Sequence, residues 1–236
     1  MKCTLYYVPR IDFNNSCIKH STWYIVHFLI PDIMYIICSD LEGVFTPEVW
    51  INVAEKTGIA ELRRTTRDEP DYNKLMKWRM NILDEHGLKL HDIQRVIARI
   101  EPLPGALDFI QWIKERTQLI VVSDTFIQFA DPLMRQLGRP TLFCHTLVMD
   151  DTNRIIDFKL RQPDPKRKTV EALQGLKYQV IAMGDSYNDI SMLKQAEAGI
   201  LFRPPQNVIN DYPQFPVTND YEEIKGILSK YFPDVI

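Results

Sequence analysis

Tyr35-Ile36-Ile37-Cys38-Ser39-Asp40-Leu41-Glu42-Gly43 sets an apolar run directly in front of an acidic turn, and the chain repeats that arrangement twice. Leu119 to Val122 leads into Ser123-Asp124-Thr125, and Val180 to Met183 leads into Gly184-Asp185-Ser186-Tyr187-Asn188-Asp189. A fourth run, Gly199 to Phe202, has the same character. Short, mostly β-branched runs of this kind have the length and composition of strands buried on both faces, as in the centre of a parallel sheet. Between them lie segments with helical spacing. Ala106 to Arg116 carries Leu107, Ile110, Trp112 and Ile113, and shorter examples are Thr169 to Leu176 and Ser191 to Ala196. Strands alternating with helices predict an α/β fold with a doubly wound parallel-sheet, Rossmann-like core.

Working outward, Gly138 and Pro140 close a further helix, and Thr141 to Leu160 reads as two strands joined by the turn Asp150-Asp151-Thr152-Asn153. Residues 48–99 show only helical periodicity, as in Trp50, Val53, Ala54 and then Leu75, Met76, Arg79, Ile82, Leu83. They are expected to form a helical cap inserted after the first strand, with Pro102, Pro104 and Gly105 marking the return. The core then comprises residues 34–47 and 100–236. Residues 1–33 stand apart. Their apolar stretch Trp23 to Ile30 is far shorter than the ~20 residues of a spanning helix, and it lacks the flanks of a secretory signal. Met34 opens directly into the first strand, so the expectation is that residues 1–33 are a dispensable extension or translated upstream sequence.

Across 236 residues, 45% are hydrophobic and 25% charged, enough apolar material for a substantial core. A formal charge of -3 and a single short basic triplet, Lys166-Arg167-Lys168, argue against a nucleic-acid partner. Cys3, Cys17, Cys38 and Cys144 form no CxxC pair, which argues against a zinc site or a disulfide framework and for a reducing cytoplasm. No membrane partner is expected.

In an open parallel sheet, ligands bind beyond the carboxyl ends of the strands, so the three acidic clusters should converge. Carboxylates gathered in one crevice repel one another unless a cation sits among them. An oxygen-only donor set without His or Cys suits Mg²⁺ rather than zinc. Ser123 can donate to a phosphoryl oxygen, and Lys166 can supply the positive charge that lets a carboxylate approach a phosphate ester.

Asp40-Leu41-Glu42, Ser123 after its strand, a lysine near 166 and GDSYND at 184–189 resemble, in order and placement, the four motifs of the haloacid dehalogenase-like phosphatases. The helical insert resembles the cap of their phosphoserine phosphatase branch. DLEGV (40–44), EKTGI (55–59), TTRDEPDY (65–72), LDEHGLKL (83–90), SDTF (123–126) and PLMRQLG (132–138) resemble, more narrowly, the subfamily that is both phosphoserine phosphatase and homoserine phosphotransferase. The likeness runs from Met34 to the final helix. It implies a Mg²⁺-dependent enzyme that forms an aspartyl-phosphate, takes its phosphate from O-phospho-L-serine and passes it to water or L-homoserine. Asp40 would be the nucleophile and Glu42 the general acid and base. Asp40, the Glu42 carbonyl, Asp185 and, mostly through water, Asp189 would hold the metal. Ser123, Asp124, Thr125, Lys166 and Asn188 would face the phosphate, with Glu48 and Arg79 at the amino and carboxylate ends of the substrate. The resemblance leaves room for a homodimer.

Other readings remain open at this level. Most of the wider family has aspartate where Glu42 stands, although the narrower subfamily shares the glutamate. Lys168 competes with Lys166 for the phosphate. Arg79 lies near Lys74, Lys77 and Trp78, and a solvated helix face would read the same way. Glu48 after Pro47 also suits a helix N-terminus. His86, His91 and His145 show no ligand spacing and read as surface or satisfied positions, and Trp50, Trp78 and Trp112 as packing. A phosphoacceptor switch also sets an aspartate among acidic ligands, a hydroxyl and a lysine, but an insert of about 50 residues is too long for its connections. A phosphatase acting on another small phosphate ester would keep the mechanism and change the substrate.

Overall fold

The computed structural model describes residues 34–66, 68–69 and 71–232. Expectations about residues 1–33 lie outside these. Among the described residues seven strands form the sheet: β1 (Tyr35–Ser39), β2 (Gln118–Phe126), β3 (Thr141–Met149), β4 (Ile155–Lys159), β5 (Gln179–Gly184), β6 (Ala198–Phe202) and β7 (Val217–Thr218). Their order is β4-β3-β2-β1-β5-β6-β7. All pairs are parallel except β3–β4, which is antiparallel and gives the sheet its edge hairpin.

The helices are α1 (Val49–Thr57), α2 (Tyr72–Glu85), α3 (Leu90–Ile97), α4 (Ala106–Lys114), α5 (Ile127–Gln136), α6 (Pro165–Gly175), α7 (Ile190–Gln195), α8 (Gln206–Asp211) and α9 (Tyr221–Leu228). A 3-10 turn at Ala60–Arg63 joins the first two. The alternation of side chains along β1 explains the double winding. Ile37 packs with Val121, Ile181 and Phe202 on one face, whereas Ile36 and Cys38 pack with Ile120, Val122 and Val180 on the other. Both faces are thus apolar, so the strands read as continuous hydrophobic runs.

α1, the 3-10 turn, α2 and α3 all fall between β1 and β2. Gly58 ends α1 at φ +74, and the Asp71 side chain caps α2 by accepting the N–H groups of Asn73 and Lys74. A missing hydrogen explains one tie between α3 and α5. Pro132 lies inside α5 and has no N–H for the carbonyl of Gln128, which instead accepts Gln94 Nε2–H from α3 at 2.8 Å.

The structure extends β2 past Val122 through Ser123-Asp124-Thr125 to Phe126, with a register shift against β3 between Val122 and Phe126. It also adds β7 and α8, neither of which has a strong pattern. Among the described residues no helix is long and apolar enough to cross a membrane.

Candidate active site

The chain leaves β1, builds β2 to β4 on one side, then returns to place β5 on the other, so the strand order reverses beside β1. This is where open α/β sheets form their crevice. Asp40 follows β1, and its N–H donates to Met183 O at 3.0 Å, tying the first acidic turn to the end of β5. Its Oδ1 accepts the Leu41 N–H at 2.8 Å.

Asp185 and Asp189 come from the turn after β5. Asp189 Oδ2 accepts the N–H groups of Asp185 (3.0 Å) and Ser186 (3.1 Å), which closes the turn on itself. Asp40, Asp185 and Asp189 each present an oxygen, and the three oxygens lie within 4.8 Å of one another in a buried cluster. Two glycines permit this crowding. A Cβ at Gly43, where φ is +78, would lie 2.5 Å from Asp185 Cγ, and one at Gly184 would lie 2.3 Å from Asp189 Cγ. Gly43→Ala is therefore expected to displace Asp185 and lower turnover at least about 100-fold, with loss of thermal stability, since misplacement of about 1 Å is enough for that loss. Unchanged kcat and melting temperature would refute the packing argument.

Lys166, on the first turn of α6, is 2% exposed. Its Nζ lies 2.7 Å from Asp189 Oδ1, 3.0 Å from Asp40 Oδ2 and 3.8 Å from Asp124 Oδ2. Burial alone would lower the ammonium's pKa, but Asp189, Asp40 and Asp124 hold it well above the usual value. Lys168 points away and pairs with Glu171 at the surface. One ammonium cannot neutralise the acidic cluster. Burial, reinforced by Asp189 and Asp185, pushes Asp40 well above the carboxylate range despite Lys166. Burial and Asp189 push Asp185 up to about 7. Such a cluster favours an added cation. The donors are all oxygen, and their spread suits one small ion, whose opposite ligands lie about 4 Å apart at Mg²⁺ bond lengths.

The Glu42 side chain is not part of this cluster. Its Oε2 accepts the Val49 N–H at 2.8 Å, at the start of α1. Burial, with Glu48 nearby, pushes its carboxyl up to about 8.

Asp40, Glu42, Glu48, Arg79, Ser123, Asp124, Thr125, Asp185 and Asn188 line one cleft, joined by Trp50, Thr65, Thr66, Tyr72 and Ser186. Ser123 Oγ accepts the Thr125 N–H at 3.2 Å. Asn188 Nδ2 donates to Asp124 Oδ2 at 2.9 Å. Burial would raise the Asp124 carboxyl, but Lys166, His145 and Asn188 hold it below the usual carboxylate range.

Arg79 is not on a solvated face: it is 5% exposed, with its guanidinium 4.5 Å over the Trp50 ring. Nη2 donates to Arg64 O at 2.8 Å, while Nε has no hydrogen-bond partner. Burial lowers its pKa to about 10 against the pull of Tyr72, Glu42 and Glu48. A buried guanidinium edge left unsatisfied inside a cleft fits a carboxylate ligand. His86 and His91 are exposed, while His145 is buried and satisfied. Trp50 does more than pack, because it forms cleft wall and the platform under Arg79. Tyr72 and His145 lie beside the site without having signalled it in sequence.

A doubly wound sheet with an acidic crevice at its strand reversal and a lysine buried among the aspartates defines the class, and the sequence agrees. The chain belongs to the haloacid dehalogenase-like hydrolases, whose pattern matches residues 37–197, with a second pattern of the same description over 167–228. It is 59% identical over 192 residues to phosphoserine phosphatase ThrH of Pseudomonas aeruginosa, an alignment covering 81% of this chain and 94% of that protein. It is 58% identical over 190 residues to a phosphoserine phosphatase of Pseudomonas syringae pv. tomato, covering 80% of each. Among solved structures, a phospho-aspartyl intermediate analogue of phosphoserine phosphatase shares the fold at TM-score 0.68 and 20% identity, over 85% of this chain and all of that one.

Proposed function

We propose that this chain is a cytoplasmic Mg²⁺-dependent phosphotransferase of amino-acid metabolism that removes phosphate from O-phospho-L-serine and passes it to water or L-homoserine. The observation that carries the reading is one cleft lined both by Asp40 and Asp185, from the buried cluster they form with Lys166 and Asp189, and by the buried Arg79 with its unpartnered Nε. The names of the pseudomonad relatives support the same substrate.

In this mechanism Asp40 attacks phosphorus and forms an aspartyl-phosphate, and Glu42 donates a proton to the leaving serine oxygen. A carboxyl pushed up to about 8 holds that proton at neutral pH. Glu42 then takes a proton from the incoming water or alcohol. Asp40, the Glu42 carbonyl, Asp185 and Asp189 would hold Mg²⁺, which when bound withdraws charge from the phosphoryl oxygens. Lys166 opposes the rise that burial imposes on the Asp40 carboxyl, and bound Mg²⁺ would add to that pull toward the ionised nucleophile, while Ser123, Thr125 and Asn188 donate to phosphoryl oxygens and Asp124 orients that group. Glu48 receives the substrate ammonium and Arg79 its carboxylate, so residues 48–99 act as the cap that recognises the amino acid. Residues 34–47 and 100–236 act as the phosphatase core.

Arg79→Ala is expected to raise the phosphoserine KM about 10- to 100-fold, the worth of a charge-assisted pair, with a smaller change in kcat. An unchanged KM would remove the carboxylate clamp. The reading as a whole is tested by following all phosphorus species by NMR in a mixture of protein, Mg²⁺, phosphoserine and homoserine. Orthophosphate and phosphohomoserine are the expected products. Orthophosphate alone would leave hydrolysis and discard transfer, and an unchanged phosphoserine signal would discard the substrate.

A further inference from the structure

His145 sits on β3 with 3% of its surface exposed, enclosed by the rings of Tyr72 and Phe126. Its two nitrogens have different tasks. Nδ1 accepts the Arg161 N–H at 3.2 Å, so the neutral ring carries its hydrogen on Nε2. Nε2 lies 3.5 Å from Asp124 Oδ1.

Asp124 divides its acceptors. Oδ1 faces His145, Oδ2 takes the Asn188 Nδ2–H, and its main-chain carbonyl takes the Tyr72 hydroxyl of α2 at 2.5 Å. The far end of the Asn188 amide is fixed as well, because Oδ1 accepts Ser186 Oγ–H at 2.5 Å. Asn188 lines the cleft, and Nδ2 carries a second hydrogen that an anion there can accept.

We propose that His145 is a positioning residue for phosphoryl transfer, holding Asp124 so that Asp124 in turn holds the Asn188 amide against the phosphoryl group. The inference rests on the reading of this cleft as a phosphotransfer site. Without the imidazole, Asp124 has Lys166 Nζ at 3.8 Å as a competing partner and is free to turn away from Asn188. A histidine that merely fills the core would not need a donor aimed at a cleft-lining carboxylate. Oxyanion-type donors lose their effect steeply when misaligned, so the consequence falls on kcat more than on KM.

The test separates reach from packing. His145→Asn keeps an acceptor near Nδ1 for the Arg161 N–H but is too short to meet Asp124. His145→Gln sets an amide nitrogen near the place of Nε2. Turnover of p-nitrophenyl phosphate with Mg²⁺ is measured for both, alone and with Asn188→Ala. We expect His145→Asn to lower kcat about 30-fold with KM nearly unchanged, and His145→Gln to stay within about 3-fold of the parent. In the Asn188→Ala background, His145→Asn should cost less than about 3-fold, because its effect has already been removed. Equal losses in both backgrounds, or a glutamine variant as slow as the asparagine, would overturn the proposal. If His145→Asn does not fold, Asp124→Asn carries the same cycle, since its one amide oxygen cannot serve both partners. p-Nitrophenyl phosphate has no amino-acid portion. Its turnover without phosphoserine turnover would sink the substrate reading alone, and inactivity of the parent toward both esters would sink both.

Discussion

Asp40→Asn is expected to abolish phosphoserine turnover, lowering kcat by at least about 10⁴-fold, because an amide cannot attack phosphorus to form the covalent intermediate. The protein should still fold. Asp40 is buried at the end of a central strand, and asparagine has nearly its shape. The backbone hydrogen bond from residue 40 to Met183 is untouched by the change. The variant should also respond less to magnesium, since one of three clustered oxygens has lost its charge. The comparison is between the parent and variant melting temperatures with Mg²⁺ and with a chelator. Full activity in Asp40→Asn would place the nucleophile elsewhere.

Lys166→Met is expected to produce the largest stability loss at the site. Its ammonium lies between Asp40 and Asp189 with almost no access to water, so its removal leaves buried carboxylates facing one another. Breaking a buried pair from one side costs about 3–5 kcal/mol, or roughly 10 °C in melting temperature for a chain of this size. Catalysis should fall by about 10²- to 10³-fold as well, the worth of a preorganised charge at a reacting group. Thermal melting with and without Mg²⁺ checks the cause. The metal should restore part of the stability by neutralising the same carboxylates, whereas a loss indifferent to Mg²⁺ would point to packing of the lysine stem.

The central strands were legible because both faces of the sheet are covered, leaving near-continuous apolar runs at Tyr35, Leu119, Val180 and Gly199. β2 was harder to bound, because its last residues, Ser123-Asp124-Thr125, are polar for the sake of the cleft and interrupt the hydrophobic pattern. β7, two residues long, is too short for periodicity. The acidic clusters could be found from sequence since each follows a strand directly.

Position on a helix stripe separates the buried cations from the solvated ones. Arg79 falls on the apolar stripe of α2 with Leu75, Met76, Ile82 and Leu83, and Lys166 falls on that of α6 with Thr169, Val170 and Leu173. A charged residue on a buried stripe is held there by partners, whereas Lys77 and Lys168 lie off the stripes and face water. Tyr72 and His145 had no such signal. Each reaches Asp124 from another element, and only the folded chain brings them together.

The most direct test of the account is to find the phosphate on the protein. Rapid acid quench after mixing with ³²P-phosphoserine and Mg²⁺, followed by peptide mapping, should place label on the peptide carrying Asp40 in the parent and leave Asp40→Asn unlabelled. Phosphate release with no protein-bound label at any time, or label on a peptide lacking Asp40, would contradict the mechanism.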